Sequence, residues 1–268
     1  MPAGARLADS SCMPSLQVSP ASDGRPSWPV PQPDLPTPAA KTPCSGGHLW
    51  DLCLGGIDVL RLDGLVFARR RVKEGQALFH EGSAFHSLYA VHSGTFKSTV
   101  TLRDGREQVS GFHMSGEVMG LDGLAQGTHA SSATALEDAE ICAIPYAQLT
   151  ELAARKPLLQ NAVCRLMSRE IVKEHGLMML LGRMNAEERV AAFLLNVSQR
   201  MKARGYSASE FHLRMSRAEI GSYLGLTLET VSRTFSAFQN QRLLRIDRKH
   251  VRILDLQALQ GAFDARVQ

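Results

Sequence analysis

The sequence predicts an α+β chain: a small all-β roll, then one long helix, then a terminal winged helix-turn-helix. Three observations predict it. Over 57–146, short alternating runs are cut by recurring glycines, the pattern of strands joined by tight turns. From 158 to 184 apolar residues recur at alternating steps of three and four, the period of one helix face. Residues 216–238, SRAEIGSYLGLTLETVSRTFSAF, hold two helix starts with a glycine between them.

A chain of 268 residues, 44% of them hydrophobic, can bury more than one core. Residues 1–43 hold ten of the twelve prolines and show no periodicity, so they are expected to be a disordered tail; Met13 inside it offers an alternative start. Residues 44–56, CSGGHLWDLCLGG, form a separate segment in which Cys44 and Cys53 flank His48 and Trp50. Five scattered cysteines, no long apolar run and no apolar leader predict a reduced cytoplasmic protein without a membrane span. No nucleophile elbow, metalloprotease motif or phosphate loop occurs, which argues against an enzyme.

The roll is assigned to 57–157. In Thr95–Leu102, Phe96, Ser98, Val100 and Leu102 share one face, and Asp104-Gly105 then signals a hairpin. A short helix is expected near 146–154, after which Pro157 restarts the chain into a dimerisation helix, 158–184. Its seam, Cys164, Met167, Ile171, Glu174, Met178 and Leu181, has coiled-coil spacing and points to a homodimer. Cys164 reads as a small packing residue. Glu174 would set two carboxylates against each other and weaken the pair.

The terminal domain is assigned to 185–268. Asn185 caps a helix bearing Val190, Phe193, Leu194 and Val197, which Gly205 ends. Ser216 and Glu219 form a capping box, with Ile220, Tyr223 and Leu224 on one face and Gly225 turning the chain. Thr227 caps a second helix, whose Val231, Phe235 and Phe238 face inward while Glu229, Ser232 and Arg233 face outward. Leu244–Leu254 alternates around a turn at 247–250, as a β-hairpin wing would. Residues 186–268 hold 13 Lys and Arg against 8 Asp and Glu, so this domain carries +5 where the whole chain carries +4. Arg217, Arg242, Arg245, Arg248, Lys249 and Arg252 are candidates for phosphate contact, with double-stranded DNA as the partner.

This order of elements, with SLYAVHSGTFK at 87–97, VSGFHMSGEVMGLDGL at 109–124, RLMSREI at 165–171, NAEERVAAFLLNVSQR at 185–200 and GSYLGLTLETVSR at 221–233, resembles the Fnr branch of the Crp/Fnr transcription regulators. The resemblance implies a cyclic-nucleotide-binding-like roll, dimerisation on a TTGAT-type palindrome read by Glu229, Ser232 and Arg233, and RNA polymerase as a further partner. It also implies a [4Fe-4S] cluster on four cysteines, of which Cys44, Cys53 and Cys142 match and the fourth position is Gly47. Cys12 or His48 could complete the set; otherwise the cluster is lost or reduced in nuclearity, leaving a regulator that is constitutive or answers another signal. Cyclic-nucleotide members place Glu where this chain has Leu121, and Arg-Ser where it has Ser131-Ser132, so cAMP is not the expected ligand and a cyclic-nucleotide-binding regulatory subunit is disfavoured.

Overall fold

A computed structural model describes residues 68–264. The tail, the 44–56 segment, and with them Cys12, Cys44, His48 and Cys53, lie outside the described residues. Eight strands build the roll: β1 Ala68–Val72, β2 Ala77–Phe79, β3 Ser87–Ser93, β4 Thr95–Thr101, β5 Glu107–Met114, β6 Val118–Met119, β7 Ser132–Ala135 and β8 Ala139–Pro145. They pair antiparallel in two four-stranded sheets, ordered β1-β8-β3-β6 and β2-β7-β4-β5. Val72, Phe79, Val91, Phe96, Met119 and Ile141 fill the space between them. The β4–β5 hairpin turns at Asp104-Gly105 as predicted.

Two helices follow, α1 Tyr146–Arg155 and α2 Pro157–Arg183. Pro157 occupies the first turn of α2, where its missing N–H leaves no bond unmade. Leu159, Ala162 and Leu166 bury the start of α2 against Leu88, Ile144 and Leu149 of the roll and α1. Further along, the outer face is apolar and bare: Ile171 is 56% exposed, Val172 66%, Met178 62% and Met179 69%. Cys164 is also exposed, while Met167 and Leu181 are half-buried. Glu174 lies to one side of this stripe, lining a cleft beside the roll together with Glu170.

The terminal domain comprises α3 Ala186–Ala203, β9 Glu210–His212, α4 Arg217–Leu224, α5 Leu228–Asn240, β10 Leu244–Asp247, β11 His250–Ile253 and α6 Leu256–Asp264. The wing has three strands, β10-β11-β9, because β9 pairs along β11. Neither β9 nor α6 is legible in the sequence pattern. Val190, Leu194, Ile220, Leu224, Val231, Phe235, Phe238, Val251 and Leu259 form the domain core.

That core also takes in Val109, Phe112 and Met114 of β5. Phe112 sets its ring 6.1 Å from that of Phe193 and 5.3 Å from that of Tyr223, so Tyr223 packs on the roll. Polar contacts surround this apolar joint. Lys97 donates to Glu219 at 2.9 Å, the Val109 amide donates to Ser222 Oγ at 2.9 Å, and Gln108 donates to the Ser222 carbonyl. Glu117 accepts from Arg200 at 2.7 Å and also pairs with Arg204. Burial alone would raise the Glu117 carboxyl, but the Arg200, Lys173 and Arg204 cations outweigh it and bring it down to about 2.

Candidate nucleic-acid interface

The helix-turn-helix is built as its residue types require. Ser216 Oγ accepts the Glu219 amide at 3.2 Å while the Glu219 carboxylate accepts the Ser216 amide at 2.7 Å, so both sides of the capping box are made. The same Glu219 takes Lys97 from the roll, so one carboxylate both starts α4 and ties it to the β4 strand. Gly225 ends α4 in the left-handed region, φ +63°, where a side chain would be strained. Gly221 allows the next segment to approach: a Cβ there would lie 2.6 Å from the Leu226 carbonyl oxygen. Thr227 Oγ1 then accepts the Thr230 amide at 3.2 Å and opens α5.

On α5 the inward Val231, Phe235 and Phe238 are almost completely buried, which fixes the rotation of the helix about its axis. That rotation leaves Glu229 and Arg233 exposed and Ser232 half-buried on the outer face. All three residues expected to read bases are therefore brought onto one surface. Glu229 belongs to the first turn, where its own amide and the Thr227 hydroxyl hold its carboxyl below the usual range and keep it an acceptor. Arg233 reaches Thr230 Oγ1 at 3.4 Å and otherwise projects outward. Arg217 sets its guanidinium carbon over the Phe235 ring, 4.5 Å from its centroid, and so stands at the start of α4 beside the reading helix. Arg242, Arg245, Arg248, Lys249 and Arg252 are all exposed on the wing and its approach. Arg242 and Arg248 adopt φ of 57° and 55°, which tightens the turns that present them. Positive charge thus borders the reading surface on its wing side.

A second cluster lies in the roll. Asp122 projects from a 3-10 turn, Leu121–Gly123, and its carboxylate accepts the amides of Ala130 and Ser131 and the Ser131 hydroxyl, each at 2.9 Å. His129 is buried against Phe79, ring centroids 3.8 Å apart, with Nδ1 3.4 Å from Asp122. The adjoining cleft, about 310 Å³, is lined by His113, Ser131, Glu170 and Glu174 among others. His113 meets Ser98 Oγ at 2.8 Å; burial, reinforced by the Lys173 cation, pushes its imidazole down to about 3. Nothing in the sequence flags Asp122, since its three donors lie eight and nine residues away.

Cys142 is buried in β8, between Arg69 of β1 and Ala90 of β3 in the pairing register. Its thiol packs among Leu88, Ala90, Val118 and Ile144. Among the described residues no group of three or more His, Cys, Asp or Glu could hold a metal ion. Cys142 is the one described residue that the resemblance makes a cluster ligand, and the others it names, Cys44 and Cys53, precede β1. Also among the described residues, no helix is long and apolar enough to cross a membrane.

Comparison with known proteins agrees with both halves. Residues 69–156 match the model of a cyclic nucleotide-binding domain, and residues 188–262 match that of a Crp-like helix-turn-helix domain. The transcriptional regulatory protein btr of Bordetella pertussis is 45% identical over 221 residues, covering 81% of this chain and 91% of that one. The anaerobic regulatory protein of Haemophilus influenzae is 43% identical over 199 residues, 74% of this chain and 77% of its own length. Among solved structures, FixK2 from Bradyrhizobium japonicum superposes with a TM-score of 0.69 at 31% identity, covering 74% of this chain and 98% of that one. With roll, long helix and winged reader matched in order, the chain belongs to the Crp/Fnr family of transcription regulators, in its Fnr-like branch.

Proposed function

We propose that this regulator binds a TTGAT-type palindrome as a homodimer and answers to oxygen or redox state. The observation that carries the DNA reading is the outer face of α5, where Glu229, Ser232 and Arg233 lie together on a helix capped at its start and held by three buried side chains. Arg can bond guanine O6 and N7 with both arms, Ser can meet a base edge, and a carboxylate accepts from cytosine N4. The bare stripe Ile171, Val172, Met178 and Met179 on α2 supports dimerisation through that helix, flanked by Met167, Glu174 and Leu181. Two copies would then present two α5 helices about 34–36 Å apart, one turn of DNA. RNA polymerase is the partner expected for a regulator so bound.

The redox reading rests on Cys44, Cys53 and Cys142 with Cys12 or His48, and on likeness to the anaerobic regulator of Haemophilus influenzae. A bound cluster would supply a group that oxygen can oxidise. The chain's own contribution is a buried thiol at Cys142, opposite Arg69, where β1 enters the roll. Gly47 at a ligand position favours a second reading, a regulator of the same DNA site without a cluster. Cyclic nucleotide is disfavoured as the ligand by Asp122, whose carboxylate already takes two amides and a hydroxyl and would repel a phosphate.

The test is anisotropy on a fluorescent TTGAT palindrome against a scrambled duplex, with iron and acid-labile sulfide assayed on the same anaerobic preparation. Preference for the palindrome, lost in Arg233→Ala, is the expected result; equal binding to both duplexes would end the DNA reading. Iron-free protein that keeps the preference would leave the cluster-free regulator.

A further inference from the structure

Arg189, in the first turn of α3, makes three hydrogen bonds to backbone carbonyls, and the three belong to the ends of two other helices. Its Nη2 donates to Leu181 O at 2.8 Å and its Nε to Met184 O at 2.8 Å, both at the C-terminal end of α2. Its Nη1 donates to Leu224 O at 3.0 Å, the last residue of α4. The final carbonyls of a helix lack partners inside it, and each C-terminus carries a partial negative charge of about half an electron. Two such ends brought together repel and leave acceptors unmade unless a cation with several donors lies between them. A guanidinium supplies both, with its donors fixed in one plane. The reader side is shaped to admit it: a Cβ on Gly225 would stand 3.4 Å from Nη1 and 3.7 Å from Leu181 Cδ2.

The link between α2 and α3 is only Met184 and Asn185. Asn185 closes it from one side through its capping box with Glu188, and Arg189 from the other. The helix proposed to join two copies and the turn that leads into α5 are thereby tied through one side chain. Resting on the reading that the chain binds a palindrome as a dimer, we infer that Arg189 is a positioning residue which sets the angle between α2 and α5, and so the distance between the two reading helices. It touches no base and no phosphate in this role. Its loss would leave each reader intact but let the pair swing.

Such a residue is recognised by its effect on spacing, since adding one base pair rotates a half-site by about 34–36° and shifts it by about 3.4 Å. The experiment measures full-length protein, dimeric by sedimentation, against a single half-site duplex and against palindromes whose half-sites are moved apart or together by one and two base pairs. Wild type is expected to favour one spacing over its neighbours by about tenfold or more, as befits two rigidly held readers. Arg189→Gln is expected to keep half-site affinity within about threefold while that preference falls below about threefold. Arg189→Lys keeps the charge but lacks the fork that reaches two helix ends at once, and is expected to lose the preference in the same way; it gives the answer should the glutamine variant unfold. A wild-type spacing profile in either folded variant would overturn the inference. So would an equal loss on half-site and palindrome, which marks general destabilisation. Wild type that is indifferent to spacing would overturn the dimeric reading itself, and this inference with it.

Discussion

Arg233 and Arg248 are both exposed arginines of the terminal domain, yet their positions predict different effects on DNA binding. Arg233 stands on the outer face of α5 beside Glu229 and Ser232, whereas Arg248 forms the tip of the wing with φ of 55°. Arg233→Ala should therefore cost about 1–3 kcal/mol on the cognate duplex and much less on a scrambled one, as titrations of both would show. Arg248→Ala should weaken both alike and reduce the slope of log affinity against log salt by about one. Buried titratable groups make a separate statement about acid. His113 is held neutral, its imidazole depressed from 6.5 to about 3, so the stability it confers is complete above pH 6.5 and lost as pH falls toward 3. Glu117 is depressed from 4.5 to about 2, so its contribution is complete above pH 4.5 and lost as pH falls through that window toward 2. Urea midpoints at pH 7, 5.5 and 4 should fall stepwise for wild type, while His113→Gln should be flatter between pH 7 and 5.5.

Among the elements, the turn between α4 and α5 is the most tightly specified. A methyl group at Gly221 would meet the Leu226 carbonyl at 2.6 Å, and backbone cannot move aside as a flexible side chain can. Gly221→Ala should lower stability by about 1–3 kcal/mol in thermal or urea melts and weaken DNA binding at temperatures where the protein remains folded. On α2, burial raises the Glu174 carboxyl in spite of the neighbouring Lys173 cation, and Glu174 flanks the bare stripe, so a second copy that covered it would desolvate it further. Glu174→Ala should tighten self-association in sedimentation velocity; an unchanged constant would remove Glu174 from the contact. The helix-turn-helix was legible because caps act within four residues: Ser216 with Glu219, Asn185 with Glu188 and Thr227 with Thr230 are all sequence-local. Three-residue β9 was not, since strand alternation needs more positions than Glu210–His212 offers. The bare face of α2 was only partly legible. A strict step of three and four selected Ile171 and Met178 but passed over Val172 and Met179, which the helix leaves equally exposed.

Across the whole molecule, the contacts no local pattern could reveal are those that join the roll to the terminal domain. Glu117 pairs with Arg200 and Arg204 across more than eighty residues, and Phe112 belongs to the terminal domain's core although it is part of β5. A core shared in this way should make the described region unfold as one unit, with tryptophan-free probes of helix content and of an introduced label on α5 giving coincident urea curves. Phe112→Ala opens the joint at a residue that is only 2% exposed; it should cost about 3–5 kcal/mol and separate the two curves. The joint has a second consequence. β5 is the last strand of its sheet, and α4 lies along it, with Ser222 taking the Val109 amide and the Gln108 side chain. The reader domain thus acts as a guard against templated strand pairing, since an uncovered border with apolar Val109, Phe112 and Met114 invites another chain to add itself. A chain cut before Asn185 should scatter light and bind amyloid dyes on standing, and Val109→Lys in that fragment should restore its solubility.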